Sequence, residues 1–175
     1  MFKNPSPIRF LKSRTNERRS SMSYASGTSV SEDRSRQEIE RNLRKFAGDD
    51  FDEFVYRSSR EEAAIGFKLR GLHFVIAIKM PSQSEYSKTP TGKDRKANAA
   101  FAAWEQECRR RWRSLSAVVK AKLVAIDDGV ATFESEFMPY ILLGNGQTLA
   151  SQIAPAIERA AESGGPLLLE DLSSK

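Results

Sequence analysis

The sequence predicts an α+β fold, a small antiparallel sheet packed on one long helix with short flanking helices. Three observations predict it. Ala97, Phe101, Trp104, Cys108, Trp112, Leu115, Val119, Leu123 and Ile126 recur at spacings of three and four, the period of one helix face. Ile65, Phe67 and Leu69, then Leu72, Phe74, Ile76 and Ile78, alternate with mostly smaller or polar residues, the period-two pattern of half-buried strands. Between these two runs lies Arg70-Gly71, a two-residue link whose glycine supplies the positive φ of a tight hairpin.

Taken in order, residues 1–31 are rich in Ser and Arg, interrupted by Pro5, Pro7 and Gly27, and poor in apolar side chains. They read as a disordered basic N-terminal extension. Three explanations stay open: a basic arm that touches phosphates or an anionic surface, a transit peptide whose helix Pro5 and Pro7 spoil, or an extension upstream of a natural start at Met22. Residues 32–170 read as a single α+β domain and residues 171–175 as a frayed tail. The domain opens with a helix capped by Ser31, with Glu32 and Asp33 favourably placed against its dipole. Ile39, Leu43 and Phe46 form its apolar edge, and Gly48 ends it.

The hairpin covers residues 63–79, with a further strand near 53–58 around Phe54, Val55, Tyr56 and Arg57. Its register pairs Leu69 with Leu72, Phe67 with Phe74 and Ile65 with Ile76, which puts the large side chains on one face. Residues 81–96 are polar, with Pro81, Pro90 and Gly92, and read as a long loop. The long helix follows over about residues 97–128, roughly 45 Å at 1.5 Å per residue, with Gly129 as its C-terminal stop. Phe133, Phe137 and Ile141 suggest a short helix or turn packed on it. Residues 140–143, before the Asn145-Gly146 turn, suggest a short strand or hairpin. A last helix carries Ile153, Ile157 and Ala161. It starts or kinks at Pro155, which cannot sit deep in a regular helix, and Gly164-Gly165-Pro166 stops it. The Leu167-Leu168-Leu169 run is expected to dock on the body.

The net charge of +5 is unevenly placed. Residues 1–21 hold six basic residues against Glu17 alone, so residues 22–175 balance at 22 basic against 22 acidic. The domain is therefore not a generally basic nucleic-acid binder. No run of 18 apolar residues occurs, so no segment reads as membrane-spanning, and no apolar stretch near the start reads as a signal peptide. One cysteine permits no internal disulfide and fits a reducing compartment.

The chemical candidates are few. On a helical wheel Arg109, Arg113, Ser116 and Lys120 form a row beside the apolar seam, about 16 Å long. With Arg110, these cations are the candidates for contact with nucleic acid or another polyanion. Glu105 and Glu107 stand four residues before Arg109 and Arg111, in the orientation that favours pairing, whereas Arg110 and Arg113 lack such a partner. Trp104 and Trp112 lie on the seam and read as core, packed on Phe67, Phe74 and Ile76. His73 falls on the outward hairpin face opposite Lys68, with no nucleophile beside it. Cys108, on the seam, reads as a buried thiol. One His and one Cys leave no usual zinc site. Asp127, Asp128, Glu134 and Glu136 are near one another in sequence and read as solvated acids, as do Asp49, Asp50, Asp52 and Glu53. Gly92-Lys93 is not a phosphate loop: Ser87 stands where a glycine is needed, and Asp94 replaces Ser or Thr. No catalytic residue, metal or cofactor is nominated.

Met22-Ser-Tyr-Ala-Ser-Gly-Thr-Ser-Val-Ser, Ala103-Trp-Glu-Gln-Glu-Cys-Arg-Arg-Arg-Trp-Arg and Val119-Lys-Ala-Lys-Leu together resemble a group of small proteins of tailed phages and prophages for which no activity is established. The resemblance covers about residues 22–169. It implies a start at Met22, a phage origin and the cytoplasm of a bacterial host, and carries over no catalytic residue. The leading expectation is a non-enzymatic phage accessory protein that binds DNA or RNA or works beside phage DNA-processing proteins. The alternative is a protein-binding module that inhibits or redirects a host factor, for example in anti-defence, and an enzyme is third.

Overall fold

A computed structural model describes Ala25, residues 27–59 and residues 62–165. The expectations for residues 1–21, for the Leu167-Leu168-Leu169 run and for residues 171–175 lie outside the described residues. The chain divides after Gln152: a body runs up to that residue, and Ile153 onward belongs to a separate unit.

In the body, α1 (Glu32–Ala47) begins where the Ser31 hydroxyl accepts from the Arg34 N–H at 3.1 Å. Ile39 and Leu43 are fully buried, with Phe46 packed beside them. Gly48, at φ +54°, ends the helix and donates its N–H to the Arg44 carbonyl. That conformation strains any residue with a Cβ.

A three-stranded antiparallel meander follows: β1 (Phe51–Ser58), β2 (Glu62–Leu69) and β3 (Leu72–Lys79), in that spatial order. The hairpin register is the one expected, with Leu69 opposite Leu72, Phe67 opposite Phe74 and Ile65 opposite Ile76. Arg70 and Gly71 both have positive φ, the type I′ geometry that matches strand twist. Leu72, at the turn, is half exposed. A bulge at Asp52 shifts the pairing of β1, so Phe51 faces Leu69 while Glu53 faces Lys68. Phe51 and Phe54 are three residues apart and would point to opposite faces of a regular strand. The extra residue lets both turn toward the core.

α2 (Ala97–Asp127) is the long helix, 31 residues in all. Cys108, Trp112, Leu115, Val119 and Leu123 are buried in a core shared with α1 and the sheet. The seam overshoots that core. Phe101 is exposed, and Trp104 is only half-buried, with its Nε1 donating to the Pro81 carbonyl at 2.8 Å. The expectation that both tryptophans are buried thus holds for Trp112 alone. A helix of this length extends beyond strands of eight residues, and its first turns meet the loop before it. There a single 3₁₀ turn (Gln83–Tyr86) is fixed by a Ser82/Glu85 capping box. Gly129, at φ +69°, closes the other end.

The short α3 (Phe133–Phe137) sets Phe137 into the core, where Phe67, Phe74 and Phe133 surround it edge-on or stacked. A 3₁₀ turn (Met138–Tyr140) leads to a small hairpin. Ile141 bridges Phe74 of β3, Leu142 bridges Thr148, and the Leu142 N–H donates to the His73 carbonyl at 2.8 Å. α4 (Leu149–Ser163) starts at a Thr148 cap, and Pro155 lies inside it, so a start at Pro155 is excluded. Gly164, at φ +68°, follows its end.

Candidate functional site

The arginines of α2 face the junction of α1, α2 and the end of β3. Their charges are largely met by carboxylates of the protein itself. Arg109 lies 4.0 Å from Glu105 and is further held by Gln106, whose Oε1 accepts an Arg109 hydrogen bond at 2.8 Å. Arg111 reaches Glu107 at 3.3 Å, the pair expected from spacing. Arg110 and Arg113, read from sequence as unpaired, both have partners. Arg110 donates to Glu107 at 2.8 Å, one turn back at i−3, and Arg113 pairs with Glu38 of α1.

Glu107 thus serves two guanidinium groups at once. Its partial burial works to raise its pKa, but hydrogen bonds and charge from Arg110 and Arg111 prevail and hold it below the usual carboxylate range. The hydrogen bonds that Arg110 donates to Glu107 in turn raise the pKa of Arg110 further. Arg111 also donates to the Lys79 carbonyl, which ties α2 to the end of β3.

Lys120, the last nominated cation, is exposed and forms no ion pair among the described residues. It lines a hollow of about 180 Å³ with Lys45, Asn42 and Asp127. The row therefore does not present a run of free cations. Arg109, Arg110 and Arg113 are tied into the protein, and Lys120 stands apart from them. Arg36 of α1, which the sequence did not single out, is tied down more fully. It pairs with Glu32 and Asp33 and lies over the rings of Tyr56 at 4.4 Å and Trp112 at 5.1 Å, cation–π contacts that pin α1 to β1 and α2.

Beside Arg110 and Arg111 a groove opens between β3 and α2, about 480 Å³ in volume. Ile76, Ile78, Leu115, Val118 and Tyr140 give it an apolar lining, and Lys79, Arg110 and Arg111 also border it. Val118 is half exposed. Sequence reasoning missed this groove because its walls are more than thirty residues apart in the chain.

Cys108 is buried, and burial first, then the nearby Glu32 carboxylate, push its thiol up to about 11, far from the thiolate a nucleophile needs. His73 is exposed opposite Lys68. Glu136 is engaged by Lys122 at 2.6 Å. Among the described residues no three His, Cys, Asp or Glu side chains gather where a metal ion could be held, and no helix is long and apolar enough to cross a membrane.

No family model, curated protein or solved structure matches the chain.

Proposed function

We propose that the protein is a non-enzymatic accessory protein that acts by binding another protein through the groove between β3 and α2. The observation that carries this reading is the contrast between neighbouring surfaces. Arg109 and Arg113 are matched by Glu105 and Glu38, and Arg110 shares Glu107 with Arg111, which removes much of the row's pull on a phosphate backbone. Directly beside them lies an open apolar groove with half-exposed Val118. Concave apolar surface with a few charged groups at its border favours a protein or peptide ligand. The resemblance to tailed-phage proteins supports the setting, a bacterial cell during infection, where a host or phage protein is the partner.

Nucleic-acid binding is the second reading, favoured by Lys45 and Lys120. Both are exposed, border one hollow and have no ion pair among the described residues. Co-purification from phage-infected cells, with and without nuclease, separates the two. A partner retained after nuclease and lost with Val118→Glu supports protein binding. Recovery that depends on intact nucleic acid and is indifferent to Val118→Glu refutes it.

A further inference from the structure

The outer edge of β3 has a free stretch. In this hairpin Leu72, Phe74, Ile76 and Ile78 face β2 with their backbone groups, because they sit opposite Leu69, Phe67, Ile65 and Ala63 in the bonded positions that a two-residue turn dictates. The alternate residues turn theirs outward. Two contacts bear this parity out: the His73 carbonyl accepts from Leu142, and the Lys79 carbonyl accepts from Arg111. Between those two capped points stand Val75, next to the rung between Phe74 and Ile141, and Ala77. The N–H and C=O of Ala77 point to the same side, the residue is exposed, and neither group has a partner among the described residues.

An unpaired strand edge is a template for another strand. Proteins usually blunt such edges, and β1 is blunted here by its bulge and by Asp52, Glu53 and Arg57. At Ala77 there is no bulge and no charged side chain, and the groove lies alongside. Ile141 and Leu142 of the small hairpin already add one antiparallel rung to the same edge at Phe74, so the edge accepts pairing. The border keeps a net positive charge: Arg110 and Arg111 share the single carboxylate of Glu107, and Lys79 forms no ion pair among the described residues.

We infer that the edge of β3 around Ala77 is a strand-addition site for an extended segment of a partner protein that alternates apolar and acidic residues. This deepens the protein-binding reading and rests on it. Main-chain hydrogen bonds to Ala77 hold the segment, one set of its alternating side chains enters the groove against Leu115 and Val118, and the carboxylates of the other set fall on the opposite face, where alternation also puts Lys79.

The probe is a fluorescein-labelled heptapeptide alternating valine and glutamate, titrated against the full chain by fluorescence anisotropy. Its comparators are a valine–lysine peptide and a valine–glutamate peptide N-methylated at alternate amides. The valine–glutamate peptide should bind, and both comparators should bind at least about tenfold more weakly, the second because its main-chain donors are gone. Ala77→Pro should weaken binding by a similar factor while the protein stays folded by circular dichroism, since proline is tolerated on an edge strand where its missing N–H faces solvent. Equal binding of the N-methylated peptide overturns strand addition even if the proline variant fails to fold. Equal binding of the lysine peptide overturns the acidic assignment. If no peptide binds, strand addition fails, and the nuclease-treated co-purification with Val118→Glu still decides whether the groove binds a protein at all.

Discussion

Replacing Arg113 by glutamine asks whether the arginine row holds the protein together or waits for a polyanion. The Arg113 guanidinium pairs with Glu38 across the α1–α2 contact, and the two side chains keep only 27% and 19% of their exposure. Exposed pairs are worth about 0.2–1 kcal/mol, whereas stripping one partner from a fully buried pair costs about 3–5 kcal/mol. A pair this far withdrawn from water falls between, so Arg113→Gln should cost about 1–2 kcal/mol. With a urea slope of about 2 kcal/mol/M, the midpoint should fall by about 0.5–1 M. The assay is urea unfolding followed by tryptophan fluorescence on Arg113→Gln, Glu38→Gln and the double variant. The double-mutant cycle should return a coupling of about 1 kcal/mol or more. Arg109 and Glu105, 4.0 Å apart and more exposed, serve as the control and should couple by under about 0.5 kcal/mol. A coupling near zero for Arg113 and Glu38, together with a nucleic-acid salt slope that flattens by about one unit when Arg113 is replaced, would refute the structural role and restore the polyanion reading.

Trp112→Ala should cost about 3–5 kcal/mol by thermal or urea unfolding, because the side chain is fully buried. Trp112→Phe should cost under about 1.5 kcal/mol, since it also removes a buried Nε1 donor that has no acceptor; equal losses for the two would contradict this. Gly66→Ala should destabilise by about 1–2 kcal/mol, because the added Cβ would lie 2.9 Å from a methyl of Val55, and Val55→Ala should restore stability in the double variant. Glu107 has a lowered pKa in the folded state, so the stability it contributes is present above its ordinary value of 4.5 and lost as pH falls through the lowered one. Glu107→Gln should therefore flatten the acid limb of a stability–pH profile, and an unchanged limb would count against the shared Arg110 and Arg111 bonds. The Cys108 thiol, at about 11, should stay inert to a disulfide reagent at neutral pH until urea exposes it.

What could be read from the sequence was what depends on near neighbours. The hairpin register followed from a two-residue turn and strict alternation, and the 31-residue helix followed from an unbroken apolar seam. The pairs Glu105 with Arg109 and Glu107 with Arg111 followed from four-residue spacing. The pairing of Arg110 with Glu107 carried a signal too, in its three-residue spacing, but Glu107 had already been assigned to Arg111. The partner of Arg113 carried none, because Glu38 is 75 positions away and only the docking of α1 on α2 brings it close. The exposure of Phe101 and the half-burial of Trp104 escaped for a related reason: periodicity locates a helix face but not how far along the helix the core extends. The groove beside β3 is a property of two separated elements and of an edge left unpaired, neither of which has a local pattern.

The bulged meander and the α1–α2 contact differ in how much chain must be gathered before either can form. β1, β2 and β3 succeed one another directly, so closing each hairpin orders few residues and little loop entropy is lost. Joining α1 to α2 closes a loop that contains the whole sheet and the segment after it. Loop-closure cost therefore predicts that the meander forms first on its own aromatic face and the helices clasp it late, an order that φ-value analysis of β2–β3 and α1–α2 contacts would check. Interactions made only in that last step, Arg113 with Glu38 and Arg36 over Trp112, then act on how long the folded protein survives rather than on how quickly it is reached.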